Sequence, residues 1–404
     1  MPSQFHCDLH IHIGSAGDGQ PVKVTASKDL TFANIAAECA DRKGIAVAGI
    51  VDCASPRVIA DIDALIAAGE LEELPEGGLR YHDSVTLIPG AEFETAEPDR
   101  GQSHHISYFA SVEQLKDFST LLSQYVTNID LSSQTCRMPA RDLRRICESV
   151  GGIFVPAHSF TPHKSVYGSC TRRLARIFPG DALRSIVAIE LGLSADTDLA
   201  DRIGELEPMT FLTNSDAHSL PKIGREYNTL EMQGASFAEV AMALRREKGR
   251  RVVANYGLDP RLGKYHRTVC EDCEWQALSE PPALVCQSCG SVRVTVGVLD
   301  RIVQIQDWSE PRHPPHRPPY HYQVPLEFVP RVGPVTLNRL INQFGSEMAV
   351  LHEASPEALR QTVGGRIAEL ILLARSGDLP LLPGGGGQYG RAVLSAADLQ
   401  LTLL

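Results

Sequence analysis

Phe5-His6-Cys7-Asp8-Leu9-His10-Ile11-His12-Ile13 decides the fold of the first half of this chain. Side chains alternate across an extended strand, so Phe5, Cys7, Leu9, Ile11 and Ile13 share one apolar face. His6, Asp8, His10 and His12 share the other. Four polar groups on one strand face are costly to bury without partners. A divalent metal removes that cost when the imidazoles are neutral and oriented by further hydrogen bonds. The same pattern recurs at other apolar runs. Glu92 follows residues 85–89, His104 and His105 open the run 106–110, and His158 follows 153–156. Asp216 and His218 follow 209–212, while Asp52 and Cys53 end the run 46–51. In a barrel of parallel strands such ends gather on one rim, where active sites form.

The periodicity between these points supports that placement. Strand patterns cover residues 5–13, 46–51, 86–88, 105–109, 153–155, 186–191 and 210–212. Helical spacing covers 32–42, stopped by Gly44, then 56–68, and a stretch after Ser111 carrying Leu115, Phe118, Leu122 and Tyr125. Ser236 with Glu239 forms a capping box for a helix to about residue 246. Alternating strands and helices predict an α/β fold with a mainly parallel sheet or barrel.

The segments Asp8-Leu-His10-Ile-His12 and Ser215-Asp216-Ala-His218 resemble the first and last motifs of the PHP (polymerase and histidinol phosphatase) metal-hydrolase family. The resemblance implies a distorted (β/α)7 barrel over residues 1–258 with two or three divalent metals, Zn, Mn or Mg. By position, His10, His12, Glu92 and Asp216 would hold one metal, Glu92, His105 and His158 a second, and Cys53 and His218 a third. The family usually has Asp-His where this chain has Asp52-Cys53, and Asp52 is assigned to the site with Cys53. Such a cluster activates water and neutralises phosphoryl oxygens, which makes phosphate ester hydrolysis the natural reaction, with Glu92, Asp216 and His158 as the catalytic set.

The 404 residues carry a formal net charge of −11, which argues mildly against a nucleic-acid partner without excluding a local basic face. The sequence has no apolar run of about 18 residues and no basic, apolar leader, so a cytoplasmic protein without membrane contact is expected. Four of the 10 cysteines stand as Cys270-x2-Cys273 and Cys286-x2-Cys289, the spacing of a closed, structural zinc site. Residues 259–306 are therefore read as a four-cysteine zinc ribbon and 307–325, rich in Pro and His, as an extended connector. Tyr320 and Tyr322 in it either stack on bases or anchor the connector by packing. Residues 326–404 become helical. Val329-Pro-Arg-Val-Gly333-Pro followed by an amphipathic helix with Arg339 looks like a helix-hairpin-helix element, with 363–365 as its partner turn; a plain helical-bundle turn is the alternative.

Taken in order, the phosphoesterase motifs, Lys264-Tyr-His-Arg-Thr268 before the cysteines, Gly297-Val-Leu-Asp-Arg-Ile302 and Pro383-Gly-Gly-Gly-Gly387-x-Tyr389-Gly390 resemble endonuclease Q. That resemblance spans nearly the whole chain. It implies a DNA repair endonuclease that nicks 5′ to uracil, hypoxanthine, xanthine and abasic sites in double- or single-stranded DNA. It also implies extrusion of the lesion base into a pocket whose donor meets the carbonyl these bases share. Asp8, Lys23, Lys28, His163, Lys164, Tyr167, Gly333 and Arg339 are the expected substrate contacts. Whether the C-terminal region binds DNA or a protein such as a sliding clamp is left open by the sequence. Two other classes compete: a small-molecule phosphatase, which gives the last third of the chain no role, and a DNA-binding protein with a purely structural metal.

Overall fold

The computed structural model describes residues 2–97 and 101–393. The first strand, Ser3–Ile11, is central because its two faces serve different purposes. Cys7 and Leu9 enter one buried apolar cluster, Ile11 and Ile13 another, while His10 and His12 are equally buried on the opposite face. Val47–Ile50 pairs with this strand in parallel and Val85–Ala96 pairs in parallel with Val47–Ile50, as the apolar runs predict.

Other pairings are antiparallel, so the sheet is mixed where a mainly parallel one is expected. Tyr227–Met232 runs against Ser3–Ile11 and then against Arg251–Gly257. Gln102–Tyr108 runs against both Val85–Ala96 and Ile153–Pro156. Tyr227–Met232 escaped the periodicity reading because Asn228 and Thr229 are polar yet buried; Asn228 bonds Thr213 and Asn214 inside the sheet. Ala188–Glu190 and Thr210–Leu212 form a separate parallel pair.

The helices follow their sequence signals. Thr31 caps Phe32–Glu38, whose continuation Cys39–Lys43 ends at Gly44 with φ 73°. Ser111 and Ser236 cap Val112–Ser123 and Phe237–Arg245 by accepting from Gln114 N–H and Glu239 N–H. Such caps satisfy end amides that would otherwise lack partners.

Residues 307–325 are extended as expected. Arg317 forks onto Asp201 (3.0 and 2.8 Å) and lies 3.3 Å over the Phe211 ring, and Tyr320–Tyr322 adds a strand beside Arg251–Gly257. Tyr320 donates to Leu258 O and Tyr322 to Asp196, so both tyrosines anchor by packing. The helices Pro334–Phe344, Glu347–His352, Pro356–Val363 and Gly365–Ser376 follow. Their Leu340, Met348, Val350, Leu351 and Ile371 belong to the same buried cluster as Ile45 and Leu326. Each such side chain contributes about 1.5–3 kcal/mol by leaving water. His352 stacks on His6 at 4.5 Å, and Lys43 pairs with Glu347 at 2.8 Å, which fixes these helices against the first strand and the first helix. No helix among the described residues is long and apolar enough to cross a membrane.

Candidate metal centre

Strand ends bring the ligating side chains together as the alternation requires. His10 Nε2 and His12 Nε2 stand 3.2 Å apart. Each ring's other nitrogen meets a carboxylate: His10 Nδ1 lies 3.0 Å from Glu190, and His12 Nδ1 lies 3.0 Å from Asp52. Those carboxylates accept the Nδ1–H, so in the neutral tautomer both Nε2 lone pairs point at each other. Glu92 and Asp216 converge on the same place, Glu92 Oε1 at 3.6 Å from His10 Nε2 and Asp216 Oδ1 at 3.2 Å from His12 Nε2.

Two lone pairs and two carboxylates facing one point demand positive charge. The electrostatics of these groups follow from that demand. Burial works against a charge on His10, yet Glu190, Asp216 and Glu92 raise its pKa to about 10. Burial likewise opposes ionisation of Glu92 and Asp216. His104 and Lys23 nevertheless hold Glu92 well below the carboxylate range, and His12 and His10 do the same for Asp216. The donor set fits divalent cations, by its chemistry and by the carboxylates behind the imidazoles.

Three groups of ligand atoms, each within 4.8 Å of one another, share these residues: His10–His12–Glu92, His12–Asp216–His218 and Glu92–His104–His158. Glu92 is common to two of them. Its Oε1 is 3.0 Å from His104 Nδ1 and 3.4 Å from His158 Nε2, while Oε2 accepts from Lys23 Nζ at 3.1 Å and from Ser133. His158, Asp216, Lys164 and Ser133 all adopt positive φ (27°, 46°, 55° and 49°), a strained choice for non-glycine residues that clusters at functional sites. Gly192 lies beneath His158, where an added Cβ would meet His158 Cβ at 2.9 Å.

Several expected positions move. His105 points away from the cluster, stacked on Phe154 at 4.9 Å, with burial pushing its pKa down to about 3. His104 takes its place because it sits opposite Glu94 in the antiparallel register, on the same strand face as Glu92, whereas His105 sits opposite Phe93. Cys53 is also outside. Its thiol is directed at Ile50 O, 3.1 Å away in the apolar core, and burial raises its pKa; its neighbour Asp52 faces inward and holds His12.

Asp8 is fully buried and accepts Ser215 N–H (3.1 Å) and Gly224 N–H (2.9 Å), so it shapes the loop bearing Asp216 rather than meeting a substrate. Tyr167 is core, stacked on Phe160 and bonded to Glu205. Lys28 is exposed and lines neither cavity at the cluster; Gly333 caps the helix Pro334–Phe344, and Arg339 lies on that helix, both exposed. Lys23 and Lys164 do line a cavity of about 420 Å³ above the cluster. Elsewhere, Cys270, Cys273, Cys286 and Cys289 place all four sulfurs within 4.8 Å of one another, consistent with a zinc ribbon.

Glu190 and Glu94 were missed by the sequence reading. Glu190 ends an apolar run as Glu92 does, and that signal was available. It accepts from His10, from His158 N–H (2.7 Å) and from Asn214 (2.8 Å). Glu94 lies 3.5 Å from His104 Nε2 and pairs with Lys164. Replacing Glu190 by Gln keeps the shape and removes the charge behind His10. The affinity of the metal-stripped protein for added Mn²⁺ or Zn²⁺ is expected to fall about 10- to 100-fold. Titration calorimetry measures it, and an unchanged affinity would show that Glu190 only packs.

Residues 198–248 match the family described as PHP-associated. The Bacillus subtilis (strain 168) protein YqxK is 47% identical over 390 residues, covering 96% of this chain and 99% of its own. The crystal structure of the lesion-specific endonuclease PfuEndoQ from Pyrococcus furiosus superposes with a TM-score of 0.81 at 31% identity, covering 98% of this chain and 97% of that one. The chain belongs to the endonuclease Q family. A second endonuclease Q structure, in complex with a 27-mer duplex carrying an abasic lesion at the active site, matches equally well, with a TM-score of 0.81 over 98% of both chains. An endonuclease Q fold accounts for the order of the PHP fold with its mixed sheet, the four-cysteine cluster and the helical C-terminal region in a single chain.

Proposed function

We propose that this protein is a DNA repair endonuclease that hydrolyses the phosphodiester 5′ to deaminated bases and abasic sites, with the lesion nucleotide extruded from the duplex. The observation that carries this reading is the meeting of two unlike cavities at one ligand cluster. The larger, about 420 Å³, is open and carries Lys23 and Lys164, which suits a phosphodiester strand. The smaller, about 180 Å³, is lined by His163, Lys264, Tyr265 and Tyr389 and is of the size to admit one base. His104, His158, Lys164 and Asp216 border both. Family membership and the abasic duplex bound by a relative support the same substrate class.

Divalent cations, Zn, Mn or Mg, held by His10, His12, Glu92, His104, His158, Asp216 and His218 would neutralise phosphate oxygens and lower the pKa of water. The protein's own part is orientation. Glu190 and Asp52 fix the rings of His10 and His12, Glu94 sets a negative charge 3.5 Å from His104, and Lys23 adds a cation 3.1 Å from Glu92. Extrusion costs a few kcal/mol and is cheapest for mispaired or missing bases, which favours damaged sites before any base contact forms. Tyr265, packed edge-on to His163 at 5.6 Å, and Tyr389, within 5.5 Å of Lys264 Nζ, offer apolar faces beside hydrogen-bond donors. Uracil, hypoxanthine and xanthine share a carbonyl that accepts from such donors, where cytosine and adenine present an amino group.

A 5′-labelled duplex with a single uracil, hypoxanthine, abasic site or no lesion, run on a denaturing gel with Mg²⁺, Mn²⁺ or EDTA, tests this. One metal-dependent nick 5′ to the lesion is expected, with the control intact. Turnover of a phosphomonoester without any nick would replace this reading with a small-molecule phosphatase.

A further inference from the structure

Some buried or half-buried arginines of this chain meet carboxylates, as Arg250 meets Glu239, Arg267 meets Asp300 and Arg317 meets Asp201. One cleft gathers four arginines with little such compensation. Arg141, Arg172, Arg176 and Arg301 surround a cavity of about 270 Å³ in which Glu97 is the one carboxylate among the described lining residues. Arg301 bonds neutral acceptors only, Tyr167 O at 2.7 Å, Thr171 O at 3.0 Å and Gln304 Oε1 at 2.5 Å. Arg172 reaches Gln304 O at 2.8 Å, and among the described residues Arg141 pairs with Asp142 alone, at 4.0 Å. The Arg176 side chain makes no hydrogen bond or ion pair among the described residues. Arg172 and Arg301 both bond Gln304, which places the two guanidiniums close together, and burial and then the Arg172 cation lower the pKa of Arg301.

Four guanidiniums around one concavity repel one another, and an anion entering it removes that cost. Arginine forks match phosphate oxygens in pairs, better than a point-charge lysine does. The position of the cleft selects the source of the phosphate. Val85–Ala96 carries Glu92 of the ligand cluster and leads straight to Glu97 at the cleft. Five residues of strand span roughly 15 Å. Lys164, 2.9 Å from Glu94, and the segment Val166–Cys170 lie along the way. At about 3.4 Å of rise per nucleotide, this separation corresponds to four or five nucleotides of a strand laid across the cluster.

We propose that the Arg141–Arg172–Arg176–Arg301 cleft grips a backbone phosphate of the DNA substrate a few nucleotides from the nick. This rests on the endonuclease reading. With a net charge of −11 the chain as a whole repels a polyanion, so productive approach requires such a local cationic seat.

The experiment compares wild type with Arg172→Ala/Arg176→Ala and with Arg172→Lys/Arg176→Lys. Fluorescence anisotropy gives the affinity for an abasic duplex between about 50 and 300 mM salt, and single-turnover nicking is measured at saturating protein. Each lost phosphate contact lowers the slope of log K against log salt by about 0.9. The alanine variant, having lost that one phosphate contact, is therefore expected to show a slope shallower by about 0.9, with affinity at least about tenfold weaker, while its nicking rate at saturation stays within about twofold. The lysine variant is expected to recover most of the slope. A wild-type slope and affinity in the alanine variant overturns the proposal. So does loss of inorganic phosphate binding by that variant with an unchanged DNA slope, which would make the cleft a site for free phosphate. A wild-type protein that neither binds nor nicks the duplex overturns the endonuclease reading and, with it, this assignment.

Discussion

Glu92→Gln is expected to abolish nicking of a lesion duplex, with a loss of at least about a thousandfold. Among the described residues Glu92 is the one carboxylate within reach of four imidazoles: His10, His12, His104 and His158 lie 3.6, 3.8, 3.0 and 3.4 Å from its oxygens. Gln preserves volume but offers one neutral oxygen and an amide nitrogen that cannot ligate. Removing a charge shared by adjacent cation sites weakens each of them. A loss of about 4 kcal/mol of transition-state stabilisation corresponds to roughly a thousandfold in rate. Single-turnover gels at saturating Mn²⁺, with metal per chain measured by emission spectrometry, check both halves. A near wild-type rate with full metal content would remove Glu92 from the centre of the site.

The second large effect concerns stability and lies behind the metal cluster. Glu226 is fully buried; Oε1 accepts Leu258 N–H at 2.8 Å, and Oε2 has no hydrogen-bond partner. Burial raises its pKa to about 8, with Leu258 N–H and Arg225 only partly opposing. Below the ordinary carboxyl pKa both folded and unfolded chains hold the proton and the group costs nothing. Between about 4.5 and about 8 the unfolded chain releases a proton that the folded chain keeps, so stability falls as pH rises. Above about 8 the loss is complete. Glu226→Gln is neutral at every pH and is expected to match wild type near pH 5. At about pH 8.5 it should exceed wild type by on the order of 3–5 kcal/mol. Urea unfolding of the metal-loaded proteins at both pH values measures the difference. Parallel pH dependences would show that Glu226 is ionised in the fold.

Much of the ligand cluster was legible because its signals are local. Alternation alone puts His10 and His12 on one face, and an ionisable residue at the end of an apolar run marks Glu92, His158 and Asp216. The four cysteines are legible for the same reason, since two-residue spacers set thiols side by side. His104 against His105 was not legible. Adjacent residues on a strand face opposite ways, and only the pairing of Glu94 with His104 decides which one meets Glu92. Cys53 and Tyr167 fail similarly, since both follow plausible site residues yet turn into the core. The antiparallel partner of the first strand was hidden because a buried Asn-Thr pair breaks its apolar run. Glu190 carried a readable signal and went unread.

The wall containing Tyr389 belongs to a glycine loop tied to the segment before the cysteines: Gly384 N–H donates to Arg261 O, Gly390 N–H to Leu262 O and Gly387 N–H to Lys264 O. A side chain is excluded at Gly390, where a Cβ would meet Leu382 O at 2.4 Å. Birth order follows from that. A nascent chain owns every ligand of the cluster once His218 has left the ribosome, but Tyr389 emerges roughly 10–30 s later at ordinary elongation rates. On the endonuclease reading, the side of the smaller cavity that Tyr389 forms would therefore be the last part of the site to be completed.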